Sequence, residues 1–106
     1  MKAVVMTAVG GPEVLAVQDV PKPTPGPNQI LVRVKAAGVN PIDYKLRSTG
    51  AMGITSGKIL GFDAAGIIEE TGPGMTEFKP GESVYYSPDF SVQGTYAEFS
   101  LSARPV

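Results

Sequence analysis

Asn40, Tyr44 and Lys45 place an amide, a phenol and an ammonium in one short stretch, and Phe62-Asp63 sets a carboxylate beside an aromatic ring. These side chains offer hydrogen bonds and charge, not strong nucleophiles or soft metal ligands. The chain has no histidine and no cysteine. Ser-His-Asp and Cys-His catalysis therefore have no place within it. The thiolates and imidazoles that transition metals most often take are missing as well, and there is no disulfide framework. Each candidate also has a plain structural use. Asn40 suits a helix N-cap, and Asp43 suits the first turn, where a carboxylate favours the helix dipole. Tyr44 suits packing, Lys45 a solvated helix position, and Phe62 a place in the core. Tyr85, Tyr86 and the loop to Gln93 are candidates for a substrate rim.

The elements that must position these groups are short. At 106 residues the chain is one domain, and its 13 glycines and 10 prolines punctuate apolar runs, as in strands joined by tight turns. Strands are expected over Lys2 to Thr7, Val14 to Val20, Ile30 to Val39, Ala64 to Glu70, Ser83 to Tyr86 and Thr95 to Leu101. In the third, Ile30, Val32, Val34 and Ala36 fall on one face and Leu31, Arg33 and Lys35 on the other. In the last, Ala97, Phe99 and Leu101 share a face. The proline-rich run from Pro21 to Asn28 reads as an extended surface connection. One short helix is expected from Pro41 to Ser48, with Asn40 as N-cap, Pro41 at the first helical position and Gly50 as terminator. Ile42 and Leu46, four apart, are expected to pack inward. Residues 50 to 60 read as loop, Pro80-Gly81 as a type II turn, and Gly72-Pro73-Gly74 as a turn rather than a phosphate loop, because Pro73 lacks an N–H and no helix follows. The sum is a mainly β, partly open barrel-like domain with one or two short helices.

Five segments, taken in order, carry a resemblance. They are Met1-Lys2-Ala3-Val4-Val5, Ala36-Ala37-Gly38-Val39-Asn40-Pro41-Ile42-Asp43, the block from Ile59 to Gly72, Phe78-Lys79-Pro80-Gly81-Glu82-Ser83-Val84-Tyr85, and Gly94-Thr95-Tyr96-Ala97-Glu98-Phe99. Together they resemble the N-terminal half of medium-chain dehydrogenases/reductases, which implies a GroES-like fold. The zinc branch of that family carries cysteine where this chain has Asn40, and Gly-His-Glu where it has Gly61-Phe62-Asp63. Asparagine and phenylalanine cannot replace a thiolate and an imidazole. The resemblance is therefore to the zinc-free members, which reduce quinones or α,β-unsaturated carbonyls and polarise the acceptor by hydrogen bonds. It implies a small planar carbonyl or quinone substrate, NADPH (or NADH) as hydride donor and a homodimeric parent enzyme. It places Asn40 near the nicotinamide end of the cleft and gives Lys45, with Tyr44, a role near the ribose or the developing oxyanion. Phe62 and Asp63 fall where metal ligands would stand, as substrate-side residues together with Tyr86.

The family's nucleotide-binding half is expected to follow Ala103-Arg104-Pro105-Val106. Residues 1–106 read as the substrate-side domain of a longer enzyme, inactive alone. The alternative is a non-catalytic GroES-like module of co-chaperonin type, or a subunit completed by a separate nucleotide-binding chain. Net charge is −1, with no basic run to follow phosphates, so nucleic acid is not an expected partner. No apolar run approaches membrane-spanning length, and the first residues lack the h-region of a signal peptide. The cytoplasm is the expected compartment.

Overall fold

The computed structural model describes residues 1–88 and 92–103. The middle of the expected rim loop and the start of the expected crossover lie outside the described residues. Strands β1 (Lys2–Met6), β2 (Leu15–Asp19), β3 (Ile30–Ala37), β4 (Lys58–Ile59), β5 (Ala64–Thr71), β6 (Ser83–Tyr86) and β7 (Phe99–Ser102) surround one α-helix, α1 (Pro41–Thr49). They form two antiparallel sheets, ordered β2-β1-β4 and β6-β5-β3-β7, and neither closes on itself. The fold is mainly β and open, as expected.

Residues 96–98, just before β7, stitch the two sheets together. On one side Val4 N–H donates to the Tyr96 carbonyl at 2.8 Å and Glu98 N–H donates to the Lys2 carbonyl at 3.1 Å. On the other, Val34 N–H donates to the Glu98 carbonyl at 2.8 Å. The last strand is accordingly shorter than expected, because its first residues pair across the sheets and only Phe99–Ser102 join β3. Phe99 and Leu101 share a face, as expected, and it is the serine face that turns inward. Ser100 and Ser102 are buried, while Phe99 and Leu101 are partly exposed. The Ser100 hydroxyl is satisfied by the Tyr86 phenol, so the polar side chain can face the core without an unpaired group.

The long strand β3 buries Ile30, Leu31 and Val32 together. The alternation expected there holds only from Val32 to Lys35, because the start of β3 is covered on both faces and its end is exposed. Ile30 and Val32 pack with Ala64, Ile68 and Tyr86, and a second cluster joins Met6, Leu46, Ile54 and Leu60 under the helix. The proline-rich connector is held to the sheet rather than free of it. Lys22 lies 4.3 Å above the Phe99 ring and 3.5 Å from Glu69, and Pro25 is buried. The stretch expected as loop contains a 3-10 turn at Ala51–Gly53 and the two-residue β4. Strand pairing with β1, not local propensity, makes β4 a strand.

Candidate functional site

Helix α1 starts as its sequence directs. Asn40 is extended at the N-cap, Pro41 takes the first helical position, and Gly50 ends the helix with its N–H on the Leu46 carbonyl. The buried face is not the one expected. Leu46 is buried, but Ile42 is 38% exposed, and Asp43 is buried in its stead at 3% exposure. A carboxylate can sit there only if its oxygens are satisfied. Oδ2 accepts the Asn40 N–H at 2.8 Å and Oδ1 accepts the Gly61 N–H at 3.0 Å. Tyr96 and Asp43 line the same small cavity beside the helix.

That carboxylate joins two distant segments. The N-cap Asn40 turns its Nδ2 to Asp63 and donates to Oδ2 at 3.1 Å. Asn40, Asp43, Gly61 and Asp63 thus close a ring of chain and hydrogen bonds. Two glycines make it possible. Gly61 has φ +106°, and an added Cβ there would stand 2.8 Å from the Thr95 amide nitrogen and nearer still to its hydroxyl oxygen. Gly38 lies directly against Asp63, where a Cβ would overlap the carboxylate. Segment 94–96 runs beside this turn. Gly94 N–H donates to the Ile59 carbonyl at 2.8 Å, Tyr96 N–H to the Leu60 carbonyl at 3.0 Å, and the Thr95 hydroxyl to the Asp63 carbonyl at 3.1 Å.

Electrostatics follow from this packing. Burial raises the Tyr96 phenol well above the ordinary tyrosine value, and the neighbouring Asp43 and Asp63 carboxylates push the same way, with Arg47 opposing. Tyr96 is therefore a neutral hydroxyl donor throughout the physiological range. Burial also raises Tyr86, against a smaller lowering by its bond to Ser100.

The remaining candidates fall on different sides of the ring. Asp63 and Tyr86 line one open, mostly apolar cleft of about 440 Å³ with Ala36, Gly38, Ala65 and Tyr85. Tyr86 is itself buried, with its hydroxyl committed to Ser100, whereas Tyr85 is exposed. Tyr44 borders a smaller cavity of about 160 Å³ with Val39, Asp43, Arg47 and Tyr96. Lys45 is exposed on the helix, and its ammonium forms no ion pair with a described residue. Phe62 packs against the cluster under the helix. The structure thus brings Asn40 and Asp63 together and leaves Tyr44, Lys45 and Phe62 apart from that contact. Sequence reasoning missed Asp43 as a bridge between the helix start and the turn at Gly61. The Asn40/Asp43 pair is a capping-box spacing that could have flagged the local bond. The bond to Gly61 has no local signal.

Residues 26–102 match the family described as the alcohol dehydrogenase GroES-like domain. The chain belongs to that family. It is 44% identical over 110 residues to the quinone oxidoreductase of Rattus norvegicus, covering 97% of this chain and 31% of that protein. It is 41% identical over 86 residues to a zinc-type alcohol dehydrogenase-like protein of Staphylococcus aureus, covering 80% of this chain and 25% of that one. Its fold superposes on the quinone oxidoreductase from Coxiella burnetii with a TM-score of 0.88 and 32% identity, over 96% of this chain and 34% of that one. The GroES-like domain described here therefore spans about a third of the length of such relatives.

The site has few metal donors. At the Asn40–Asp63 contact they are one amide, already donating its N–H, and one carboxylate. Among the described residues no group of three or more acidic side chains converges, and the chain supplies no imidazole or thiolate. These residues do not fit a catalytic zinc, which takes three protein ligands from nitrogen, sulfur or carboxylate donors.

Proposed function

We propose that this chain is the substrate-side domain of an NAD(P)H-dependent, zinc-free oxidoreductase that reduces quinones or α,β-unsaturated carbonyls. The 44% identity with a quinone oxidoreductase over 97% of the chain carries this reading, and the donor set at the Asn40–Asp63 corner supports it. A bound nicotinamide supplies the hydride. The pyrophosphate of such a cofactor needs a glycine-rich turn opening a helix, and the one α-helix described here opens with Asn40-Pro41. This domain contributes orientation and polarisation. Asn40, fixed at the N-cap and by Asp63, holds an amide at the start of α1. Lys45, on the same helix, offers an exposed ammonium to a ribose hydroxyl or an oxyanion. The open cleft beside Asp63, walled by alanines and Tyr85, suits a flat acceptor. Phe62 supplies apolar packing where the zinc branch has a ligand.

The test uses the native full-length polypeptide with NADPH or NADH and a benzoquinone or an alkyl enone, followed by loss of reduced-nicotinamide absorbance. Turnover that survives exhaustive chelation is expected. Asn40→Ala should lower kcat/KM by about 10- to 100-fold, the range of a hydrogen bond to charge. Stoichiometric zinc with activity lost on chelation would refute the metal-free reading, and turnover of neither acceptor would refute the substrate class.

A further inference from the structure

We infer that the buried hydroxyl of Thr95 is a positioning group that fixes Asp63 and, through it, the side-chain amide of Asn40. As a statement about turnover, this rests on the function proposed above. As a statement about geometry, it stands alone.

The turn that presents Asp63 is gripped along its whole length. The Leu60 carbonyl accepts the Tyr96 N–H at 3.0 Å, the Gly61 carbonyl the Thr95 N–H at 3.2 Å, and the Phe62 carbonyl the Ser87 hydroxyl at 2.6 Å. The Asp63 carbonyl accepts twice, from the Gly38 N–H at 3.2 Å and from the Thr95 hydroxyl at 3.1 Å. The Asp63 carboxylate then takes the Asn40 amide at 3.1 Å. Asp63 is exposed, so burial of its side chain does not hold the carboxylate there. The backbone beneath it must do so.

Gly38 and Asn40 lie on one short stretch just past β3. Contacts to that stretch alone would let Asp63 pivot about it. Thr95 adds a third point from a separate segment, which is tied to both sheets through Val4 and Val34. Its side chain is fully buried. A hydrocarbon of the same shape would fill that space with no hydroxyl to desolvate, and a buried hydroxyl is costly without a partner. The partner here is the Asp63 carbonyl. Gly61 makes room for the contact, since a Cβ at position 61 would overlap the Thr95 hydroxyl oxygen. When the hydroxyl is removed, the Asp63 carbonyl keeps the Gly38 N–H. The loss therefore frees an orientation rather than stranding a buried acceptor.

The experiment compares Thr95→Val, Thr95→Ser and Ser100→Ala in the native full-length polypeptide. Thr95→Val removes the hydroxyl and keeps the shape, Thr95→Ser keeps the hydroxyl, and Ser100→Ala removes a buried hydroxyl that is bonded to Tyr86 instead. The direct readout is the Asn40 side-chain amide in nitrogen-15 NMR. Thr95→Val should shift that NH2 pair and speed its exchange with water about 5-fold, the ratio that one lost hydrogen bond of ordinary net strength makes. Thr95→Ser should return the pair to its wild-type position, and Ser100→Ala should lower thermal stability while leaving it unmoved. An unmoved Asn40 amide in Thr95→Val, a shift that Thr95→Ser does not reverse, or an equal shift in Ser100→Ala overturns the inference. If Thr95→Val does not fold, Thr95→Ala, which adds no bulk, is compared with Thr95→Ser, and the same outcomes decide. Turnover adds a second readout. A kcat lowered about 10-fold with KM changed less than about 2-fold, and restored by Thr95→Ser, marks an interaction that matters in the transition state. Unchanged kcat despite a displaced Asn40 overturns the catalytic part. If the wild-type polypeptide reduces neither acceptor, the proposed function fails by itself and the NMR comparison still decides the geometry.

Discussion

Gly61→Ala and Gly38→Ala differ by one methyl each and lie on either side of the same carboxylate, yet they should behave very differently. At Gly61 the backbone has φ +106°, and the new Cβ would stand 2.8 Å from the Thr95 amide nitrogen, with the Thr95 hydroxyl closer still. Backbone in that region costs a non-glycine residue about 1–3 kcal/mol, and forcing a methyl into packed main chain costs about 1–3 kcal/mol more. The sum is roughly 2–6 kcal/mol, a large part of the 5–15 kcal/mol that holds a typical domain together. At Gly38 the three atoms nearest the methyl all belong to the Asp63 carboxylate, which is exposed and can turn aside by giving up its bond to Asn40. The substitution forfeits the Asn40–Asp63 bond at the surface, about 0.5–1.5 kcal/mol. It regains about 0.4–1 kcal/mol by stiffening the unfolded chain. The net change should lie within about 1 kcal/mol of zero. The assay is thermal and urea unfolding followed by circular dichroism. Gly61→Ala should lower Tm by roughly 8 °C at the least, at about 4–8 °C per kcal/mol, and Gly38→Ala should lower it far less while displacing the Asn40 amide resonance. Equal losses in the two variants, or a Gly61→Ala protein as stable as wild type, would refute the close approach of the turn to Thr95.

Two further outcomes follow from burial. Leu46→Ala should cost about 2–5 kcal/mol, whereas Ile42→Ala, at a position 38% exposed, should cost much less, and paired urea titrations would detect a reversal. Tyr86 and Tyr96 both have phenol pKa values raised above the ordinary 10.0. On raising the pH past about 10, the unfolded chain loses these protons first, so the stability they contribute is fully present below that pH and declines above it. Tm measured against pH should fall on the alkaline side, and Tyr86→Phe should flatten that fall while lowering the plateau by about 1–3 kcal/mol, because the Ser100 hydroxyl loses its partner. An alkaline limb unchanged in Tyr86→Phe would argue against the buried phenol.

Much of this protein is written locally. The valine-rich starts, the Asn40-Pro41 cap with Gly50 at the end, and the Pro80-Gly81 turn are all decided by backbone sterics and short-range hydrogen bonds. The turn closes with Glu82 N–H on the Lys79 carbonyl at 3.3 Å. The absence of histidine and cysteine likewise constrains the chemistry without any coordinates. Periodicity failed where the partner surface, not the pattern, decides burial. Leu31 is buried although its face, shared with Arg33 and Lys35, reads as polar. Ser100 turns inward because Tyr86, fourteen residues earlier, offers it a hydroxyl.

The site divides in the same way. That Asn40 starts the helix and that Asp63 stands beside an aromatic residue are local facts, legible in the order of residues. That the two touch, across 23 positions of chain, depends on how the strands pack. The tertiary structure also decided that Asp43 rather than Ile42 faces inward, since burying a carboxylate requires a second donor besides the helix's own Asn40 N–H. The Gly61 N–H supplies it, and nothing in the sequence around Gly61 announces it.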